Sequence, residues 1–277
     1  MTPSSKKTRK RKRRKPVTEQ EQGNRSKRSK SLIWEIHHLN QELDRITADP
    51  DLTTQEKETK KENLQEKIAT LGGLTAYQTA SKKGEHHHGN FNTAQWVIKA
   101  LQEVFPAGQE RPQLELLDVG AVSLNYEKQK KWISCTAIDL HPQQADILEC
   151  DLIKFQMKQS EIFDVIVLSL VLNFAGTPEK RGRMLQCSSR LCKENGYVFI
   201  VLPLACLDNS RYMTDDLLDE IMASLGFKKV KGHNSRKLSF KMYQKEKAKG
   251  KQDFKKRKVR EGVRCNNFCI TMERRGR

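Results

Sequence analysis

The chain of 277 residues contains no uninterrupted apolar run of 18 residues, so no membrane-spanning helix is expected. Its first residues carry many charges with no apolar stretch behind them, so no secretory signal peptide is expected either. None of the seven cysteines forms a Cys-x-x-Cys pair, and several lie within or beside apolar runs. Such cysteines are typical of buried thiols in a reducing compartment. These absences exclude the membrane-spanning and disulfide-rich secreted classes.

A metal site is also not expected, although three consecutive histidines lie at 86–88. The side chains of adjacent residues point in different directions, and no cluster of cysteines or carboxylates nearby completes a coordination shell. A polar loop is the simpler interpretation of this segment.

Positive charge is concentrated at the two ends of the chain. Residues 1–30 hold 13 Lys and Arg against two Glu, and residues 241–277 hold 14 against four acids. The total formal charge is +18, so the residues between these ends carry a net charge of −3. A nearly neutral body flanked by basic ends is typical of a folded domain whose ends bind nucleic acid.

Residues 1–30 are predicted to form a disordered basic tail, because they contain almost no apolar side chains to bury. The run 9–15 has the composition of a nuclear or nucleolar targeting signal and equally of a phosphate-binding arm. A tail that only increases solubility is the remaining alternative.

Residues 31–110 are predicted to form a helical N-terminal extension. Apolar residues spaced three and four apart within 32–46 define one helix. Thr53-x-x-Glu56 is a capping box that begins a second helix, and Gly72-Gly73 ends it. A third helix is expected to include residues 96–104.

Residues 111–277 are predicted to form a doubly wound α/β domain with a mostly parallel sheet. Candidate strands alternate with helical segments, and the run 165–170 is apolar on both faces, as parallel strands covered by helices require. The candidate strands are 114–119, 133–139, 145–149, 163–170, 197–203 and 227–232, with further strands after 237 and at 263–272, and the candidate helices include 178–194 and 214–225. A basic segment at about 245–260 is predicted to be a mobile insertion before the last strand.

The strongest functional signal is an apolar run that ends in Asp118-Val119-Gly120, followed by a second apolar run that ends in Asp139. In an α/β sheet this spacing places a tight turn after one strand and a carboxylate at the tip of the next. That carboxylate can accept hydrogen bonds from both hydroxyls of a ribose. Asp118 can orient the turn or accept a hydrogen bond from a cationic group.

The first turn lacks the G-x-G-x-x-G pattern, so the several close backbone approaches that a pyrophosphate needs are missing. A ribose-bearing cofactor without phosphate is favoured, and S-adenosylmethionine is the obvious one. A third acid, Asp151, and the adjacent Leu152 follow the third candidate strand. The carboxylate of Asp151 can accept a hydrogen bond from the amino group of the cofactor's adenine. The alternative is that these acids only solvate the strand ends.

Substrate residues are predicted after the fourth and fifth strands. An extruded base can stack on Phe174 and be recognised by Asn173 through its Watson–Crick edge. The alternative is a core phenylalanine and a helix-capping asparagine. Arg211 and Tyr212 lie in a polar loop after the fifth strand, where they suit a phosphate and a stacked base of an RNA. A plain capped loop is the alternative there.

The run 116–174, with Tyr77-Gln-x-Ala-Ser81, Pro203-Leu204, Asn209-Ser-Arg-Tyr212 and Asn267-Phe-Cys-Ile270, resembles the fungal 25S ribosomal RNA adenine-N1 methyltransferase family. The resemblance covers about residues 30–275. It implies a class I, Rossmann-like methyltransferase fold and S-adenosylmethionine as cofactor, held by Gly120 and Asp139. It also implies ribosomal RNA or a pre-ribosome as partner, and a nuclear, nucleolar location.

N1 of adenine has a lone pair at neutral pH, so alignment and water exclusion are sufficient for methyl transfer, and Asn173 and Phe174 are the candidate catalytic residues. A monomer that binds neither membrane nor metal is expected. Two other functions stay open. An animal relative resembles an S-adenosylmethionine sensor, which leaves a non-catalytic sensor as an alternative, and methylation of a protein side chain is the other.

Overall fold

The structure is a computed structural model of the chain. It describes residues 51–72, 92–107, 110–158, 162–246 and 252–273, together with eight helical positions between Leu32 and Ile46. The predicted basic tail, the segment 77–81 and the three histidines at 86–88 lie outside the described residues.

Seven strands form one sheet within the described residues. They are β1 (Leu114–Val119), β2 (Ile133–Asp139), β3 (Leu148–Glu149), β4 (Phe163–Ser169), β5 (Cys192–Pro203), β6 (Phe227–Asn234) and β7 (Leu238–Lys245). Their order in the sheet is β3-β2-β1-β4-β5-β7-β6. Neighbouring strands are parallel except for β7, which runs antiparallel to both β5 and β6. The prediction of a doubly wound, mostly parallel α/β sheet is confirmed.

The described residues also include six α-helices with defined bounds, besides a short 3-10 helix at Glu127–Gln129. They are α1 (Thr54–Thr70), α2 (Thr93–Val104), α3 (Leu152–Lys158), α4 (Pro178–Leu191), α5 (Ala205–Asp208) and α6 (Asp215–Ser224). The capping box predicted for α1 is confirmed, because Thr53 and Glu56 exchange backbone-to-side-chain hydrogen bonds. None of the helices in the described ranges is both long and apolar enough to cross a lipid bilayer.

The sheet separates two hydrophobic cores, because successive side chains of a strand point to opposite faces. Leu117 lies in the core that α3, α4 and α6 cover, whereas Leu116 lies in the core that α2 covers. Trp96 of α2 packs edge-on against Phe199 of β5, with 5.5 Å between the ring centroids. Truncation of such a buried side chain to alanine typically costs about 2–5 kcal/mol, so both helical layers stabilise the strands that carry the site.

The C-terminal residues 252–273 differ from the sequence-based expectation. The prediction of a strand at 263–272 is wrong, because β7 occupies the place beside β5 and the segment forms only single bridges, such as Phe254–Met272. Of the basic insertion predicted at about 245–260, the structure describes Lys245 as the last residue of β7, Glu246, and the residues from 252 onward. There Phe254 is buried in the core below α4, and its N–H and carbonyl groups both bond to Met272. This part of the segment is therefore anchored to the domain rather than mobile.

Candidate cofactor and substrate site

The carboxyl ends of β1, β2 and β4 meet at one edge of the sheet. Gly120 follows β1, Asp139 ends β2, and residues 170–174 follow β4. The N–H of Gly120 donates to the carbonyl oxygen of Ile138 over 2.8 Å, which ties the first turn to β2. The fold thus brings the predicted cofactor residues and the predicted substrate residues to the same edge.

Gly120 is the point where the first turn approaches the loop after β4. Its φ of +76° is a conformation that side chains disfavour. A Cβ atom on this residue would lie 3.0 Å from Cγ2 of Val171. A larger residue here would therefore adopt a disfavoured conformation and push against the side chain of Val171. This is the backbone cradle that a glycine after the first strand provides for a bound cofactor.

Asp139 is partly buried, and this burial raises the pKa of its carboxyl group, although the backbone hydrogen bond from His141 opposes the rise. The N–H of His141 donates to Oδ1 over 2.8 Å. Oδ2 has no hydrogen-bond donor among the described residues, so it is available to the hydroxyls of a ribose.

Asp151 and Leu152 lie at the start of α3. Oδ1 of Asp151 accepts the N–H of Ile153 over 2.8 Å and so caps the helix, while Oδ2 lies 3.9 Å from Nζ of Lys180. The side chain of Leu152 is buried in the core. The structure gives both residues a role in fixing the chain after β3, and their predicted contact with the adenine of the cofactor stays a prediction.

Asp118 is buried on the face of the sheet that α2 covers. Burial raises the pKa of Cys135 to about 12, and the Asp118 carboxylate adds to this rise. The same two causes raise the pKa of the Tyr126 hydroxyl well above its usual value. Asp118 is therefore an internal charge beside the first turn, with Tyr126 and Cys135 as neighbours. Its contact with a cationic group stays a prediction.

The loop after β4 combines backbone strain with an unsatisfied polar atom. Leu170 has a φ of +55°, which costs a non-glycine residue on the order of 1–3 kcal/mol. Oδ1 of Asn173 is buried and has no hydrogen-bond partner among the described residues. Leaving such an acceptor unsatisfied typically costs about 1–3 kcal/mol. Both features concentrate at the position where the sequence predicts the substrate base.

Arg211 is engaged in the protein rather than directed only to solvent. Its Nη1 donates to Oδ1 of Asn267 over 2.7 Å, and its Nη2 donates to the carbonyl oxygen of Gly262 over 2.8 Å. Nζ of Lys256 lies over the ring of Tyr212, 4.5 Å from its centroid. Residues 209–212, which carry part of the family resemblance, are therefore bound to the segment 262–267, whose last residue begins another part of it.

Arg181 is a residue of the site region that the sequence analysis missed. It is only 5% exposed, and its Nε donates to the carbonyl oxygen of Leu172 over 3.1 Å. Its Nη1 donates to the carbonyl oxygen of Cys269 over 2.8 Å, and its guanidinium group lies 4.7 Å from the ring centroid of Phe268. The sequence contains one signal for this residue. Arg181 lies three positions before Met184, so it belongs to the apolar face of α4 although it is charged.

A second missed group is the polar cluster at the start of α2. Oδ1 of Asn92 accepts the N–H of Ala94 over 2.9 Å and caps the helix, while its Nδ2 donates to Oδ1 of Asn125 in the loop after β1. Oγ of Ser169, at the end of β4, donates to Oγ1 of Thr93 over 2.8 Å. The start of α2 is therefore bound to the same sheet edge as the site. In the part of the chain that the structure describes, no group of three His, Cys, Asp or Glu side chains is placed to hold a metal ion.

A seven-stranded sheet of this order with one antiparallel strand, and a glycine turn and an acid at the ends of β1 and β2, defines a class I S-adenosylmethionine-dependent methyltransferase. Residues 62–270 match the family model of the 25S rRNA (adenine(2142)-N(1))-methyltransferase, Bmt2. The chain belongs to this family.

Two curated relatives are similar to most of the chain. The 25S rRNA (adenine(2142)-N(1))-methyltransferase of Saccharomyces cerevisiae is 32% identical over 76% of this chain and 63% of its own length. The 25S rRNA adenine-N(1) methyltransferase of Schizosaccharomyces pombe is 31% identical over 86% of this chain and 89% of its own length. Among solved structures, the N-methyltransferase NodS of Bradyrhizobium japonicum with S-adenosyl-L-homocysteine aligns with 55% of this chain and 86% of that chain, at 14% identity and a TM-score of 0.41.

The residues at the sheet edge fit S-adenosylmethionine, the cofactor of this class. Gly120 presents bare backbone at the end of β1, in a positive-φ conformation that side chains disfavour, and this suits a group bound against the backbone. Asp139 presents a carboxylate oxygen of the kind that accepts ribose hydroxyls.

Proposed function

We propose that this protein transfers a methyl group from S-adenosylmethionine to N1 of an adenine in 25S ribosomal RNA. Membership of the family and the names of both relatives support the reaction and the substrate. In this chain the proposal depends on one observation. The buried Oδ1 of Asn173, directly after β4, accepts no hydrogen bond from the described residues.

Adenine carries a donor that suits this oxygen. Its exocyclic amino group lies beside N1 on the Watson–Crick edge, whereas guanine has a carbonyl oxygen at the same place. A hydrogen bond from this amino group to Oδ1 of Asn173 selects adenine and fixes the direction in which N1 points. The adjacent Phe174 is the aromatic residue of this loop, and stacking of the extruded base on it is part of the same proposal.

The residues of the chain do not need to remove a proton, because N1 of adenine has a lone pair at neutral pH. They act by orienting the base and excluding water. When bound, S-adenosylmethionine supplies an electrophilic methyl group on a sulfonium. The methylated base is cationic, so the amide oxygen of Asn173 and the ring of Phe174 also stabilise the charge that develops on it.

We assign Gly120 and Asp139 to the cofactor, the first through its backbone and the second through the ribose hydroxyls. Asp118 orients the first turn from beneath, and Asp151 with Leu152 flanks the adenine of the cofactor. Of these residues, Asp139 is the most direct to test, because its carboxylate is proposed to accept hydrogen bonds from the two ribose hydroxyls.

A nuclear and nucleolar location, a pre-ribosome as the form of the substrate, and a monomer are parts of the same proposal. The run 9–15, with its dense Lys and Arg, supports the location as a targeting signal. Deletion of residues 1–30 from a fluorescent fusion is expected to redistribute the protein out of the nucleolus. Unchanged nucleolar fluorescence would contradict the targeting role.

The test of the reaction is transfer of a labelled methyl group to 25S rRNA by the purified chain. The modified base is mapped by arrest of reverse transcription, since a methyl on N1 blocks Watson–Crick pairing. We expect Asn173→Ala to lower transfer about 10–100-fold without loss of S-adenosylmethionine affinity. Asn234→Ala, at the exposed end of β6, is the control that retains transfer.

Other outcomes identify the alternatives. Neither named relative supports a non-catalytic sensor. The sensor alternative would be favoured if the protein bound the cofactor but transferred no methyl group to any RNA. Label recovered in a protein rather than in RNA would favour methylation of a side chain. Either result would overturn the proposed function.

A further inference from the structure

The segment that follows Phe254 is strongly cationic and exposed. Residues 255–264, here named the cationic strap, contain six Lys and Arg and one acid, Glu261. Five of the six cations are exposed and Arg260 is partly so. Glu261 lies 2.5 Å from Nζ of Lys258, whereas Lys255 and Arg257 are within ion-pair distance of no acid in the described part of the chain.

The backbone of the cationic strap is fixed to the domain. Its N-terminal neighbour Phe254 is bridged to Met272, and the N–H of Val259 donates to the carbonyl oxygen of Arg211 over 2.8 Å. Nη1 of Arg260 donates to the carbonyl oxygen of Ser210 over 2.8 Å. A run of like charges ordinarily repels itself and stays unfolded. In this protein the anchored backbone keeps the cations close together despite their mutual repulsion.

The place is the edge of the sheet that carries the candidate site. Residues 209–212 follow β5 and α5 at the carboxyl edge, and the strap lies along them. Downstream of the strap, Cys269 is connected to Leu172, the residue before Asn173, through the guanidinium group of Arg181. The strap and the loop that contains Asn173 are therefore parts of one hydrogen-bonded assembly.

We propose that the cationic strap binds the phosphate backbone of the RNA beside the target adenine, and that Arg211 is the positioning residue that holds the strap. The inference rests on the proposed function, because an RNA whose base enters the site must carry its phosphates across the same edge. Cations on an anchored backbone suit phosphates of a folded RNA, since the backbone loses little conformational entropy on binding. Arg211 thereby acts through the strap and not by a contact of its own with RNA.

The test compares two triple variants of the full chain that remove the same charge. Lys255→Gln, Arg257→Gln and Lys258→Gln neutralise the strap. Lys128→Gln, Lys130→Gln and Lys131→Gln neutralise three exposed lysines before β2, at the opposite edge of the sheet. Affinity for a 25S rRNA fragment is measured as a function of salt concentration, and S-adenosylmethionine binding reports that each variant is folded.

We expect the strap variant to bind RNA at least about tenfold more weakly at low salt. We also expect the slope of log affinity against log salt to be smaller by about 2, because each of the three lost phosphate contacts contributes about 0.7. The control variant is expected to keep the slope of the unmodified protein. Equal slopes for both triple variants would overturn the proposal. So would a strap variant that binds RNA normally but no longer binds pre-ribosomal particles, because the strap would then contact a protein.

Arg211→Gln separates positioning from contact. If Arg211 is a positioning residue, this substitution is expected to weaken RNA binding and to speed amide hydrogen exchange within residues 255–264. The slope of log affinity against log salt is expected to stay the same. A slope smaller by about 0.7 with unchanged exchange would instead make Arg211 a phosphate contact and overturn its assignment. Failure of the proposed function is distinguishable, because the protein would then bind the RNA with the same salt slope but methylate no adenine in it.

Discussion

The buried guanidinium of Arg181 donates a hydrogen bond over 3.1 Å to the carbonyl oxygen of Leu172, the residue directly before Asn173. The same side chain bonds to Cys269 and stacks on Phe268, so it joins the loop after β4 to the C-terminal segment. Through this contact the last described residues of the chain help to set the position of the candidate substrate loop.

Replacement of Arg181 tests this role. Arg181→Met leaves two buried carbonyl oxygens without their donor, which is expected to lower the free energy of unfolding by about 2–4 kcal/mol. We also expect kcat for methyl transfer to fall more than KM for RNA rises, because Asn173 is misplaced while the cationic strap still binds. Arg181→Lys is expected to restore part of both properties. Urea unfolding and steady-state kinetics measure them.

Arg183→Met is the matched control, since Arg183 is exposed on the same helix. It is expected to leave unfolding and kinetics unchanged. If Arg181→Met lost stability but kept kcat at a temperature where it is folded, its role would be structural only.

Gly182 determines how closely the C-terminal segment approaches α4. A Cβ atom at this position would lie 1.9 Å from the carbonyl oxygen of Thr271. Gly182→Ala is therefore expected to destabilise the domain by more than about 2 kcal/mol, although alanine favours a helix over glycine by about 1 kcal/mol. Thermal unfolding measures the effect. In Gly232→Ala the new Cβ meets the flexible end of Lys229 at 3.0 Å and the carbonyl oxygen of Phe240 at an ordinary contact distance of 3.8 Å, so a small change is expected there.

Asp139 is expected to show a conflict between stability and cofactor binding. Burial raises the pKa of its carboxyl group in the folded state, so the folded protein holds this proton more tightly than the unfolded chain. The charged form therefore lowers stability above the folded-state pKa, and this loss disappears as the pH falls below the unfolded-state pKa. Asp139→Asn is expected to raise Tm at neutral pH and not in acid.

The same variant is expected to bind S-adenosylmethionine about 10–100-fold more weakly by calorimetry, because a neutral amide is a weaker acceptor of ribose hydroxyls. In the unmodified protein, affinity is expected to decrease as Asp139 protonates. Cofactor affinity that is unchanged in Asp139→Asn would remove Asp139 from the site.

Asn173 is expected to contribute to activity and not to stability. Asn173→Ala removes a buried acceptor that has no donor among the described residues, so the free energy of unfolding is expected to stay level or rise by up to about 1 kcal/mol. Asn92→Ala is the contrast, because it removes a helix cap and is expected to cost about 1 kcal/mol. A marked loss of stability in Asn173→Ala would show that its amide is bonded within the protein.

Much of the fold was predictable from patterns that involve near neighbours in the chain. The alternation of apolar runs and helical segments located β1, β2 and β4, and Thr53-x-x-Glu56 located the start of α1. The common location of the candidate cofactor residues was predictable too, because parallel strands place the residues that follow them at one edge of the sheet. Gly120 and Asp139 lie there as a consequence of their positions in the sequence.

The roles of Arg211 and of residues 252–273 were not predictable in the same way. Arg211 suited a nucleic-acid contact by its residue type, and the structure shows in addition that it bonds to Asn267, 56 positions further along the chain. The apolar residues near 270 suited a strand, yet the edge of β5 is already paired with β7.

The sequence by itself determined the α/β layering, the edge at which the candidate cofactor residues lie, and the basic character of the chain ends, because these depend on periodicity, local turns and composition. Only the tertiary structure decided that Arg181 supports the loop of Asn173, that Oδ1 of Asn173 is left without a donor in the described residues, and that Arg211 holds a cationic strap. The physical reason is that hydrogen bonds of buried groups are satisfied by whichever residues the packing brings near. Arg181 and Cys269 lie 88 positions apart, and Arg211 and Gly262 lie 51 positions apart, where no local pattern records the contact.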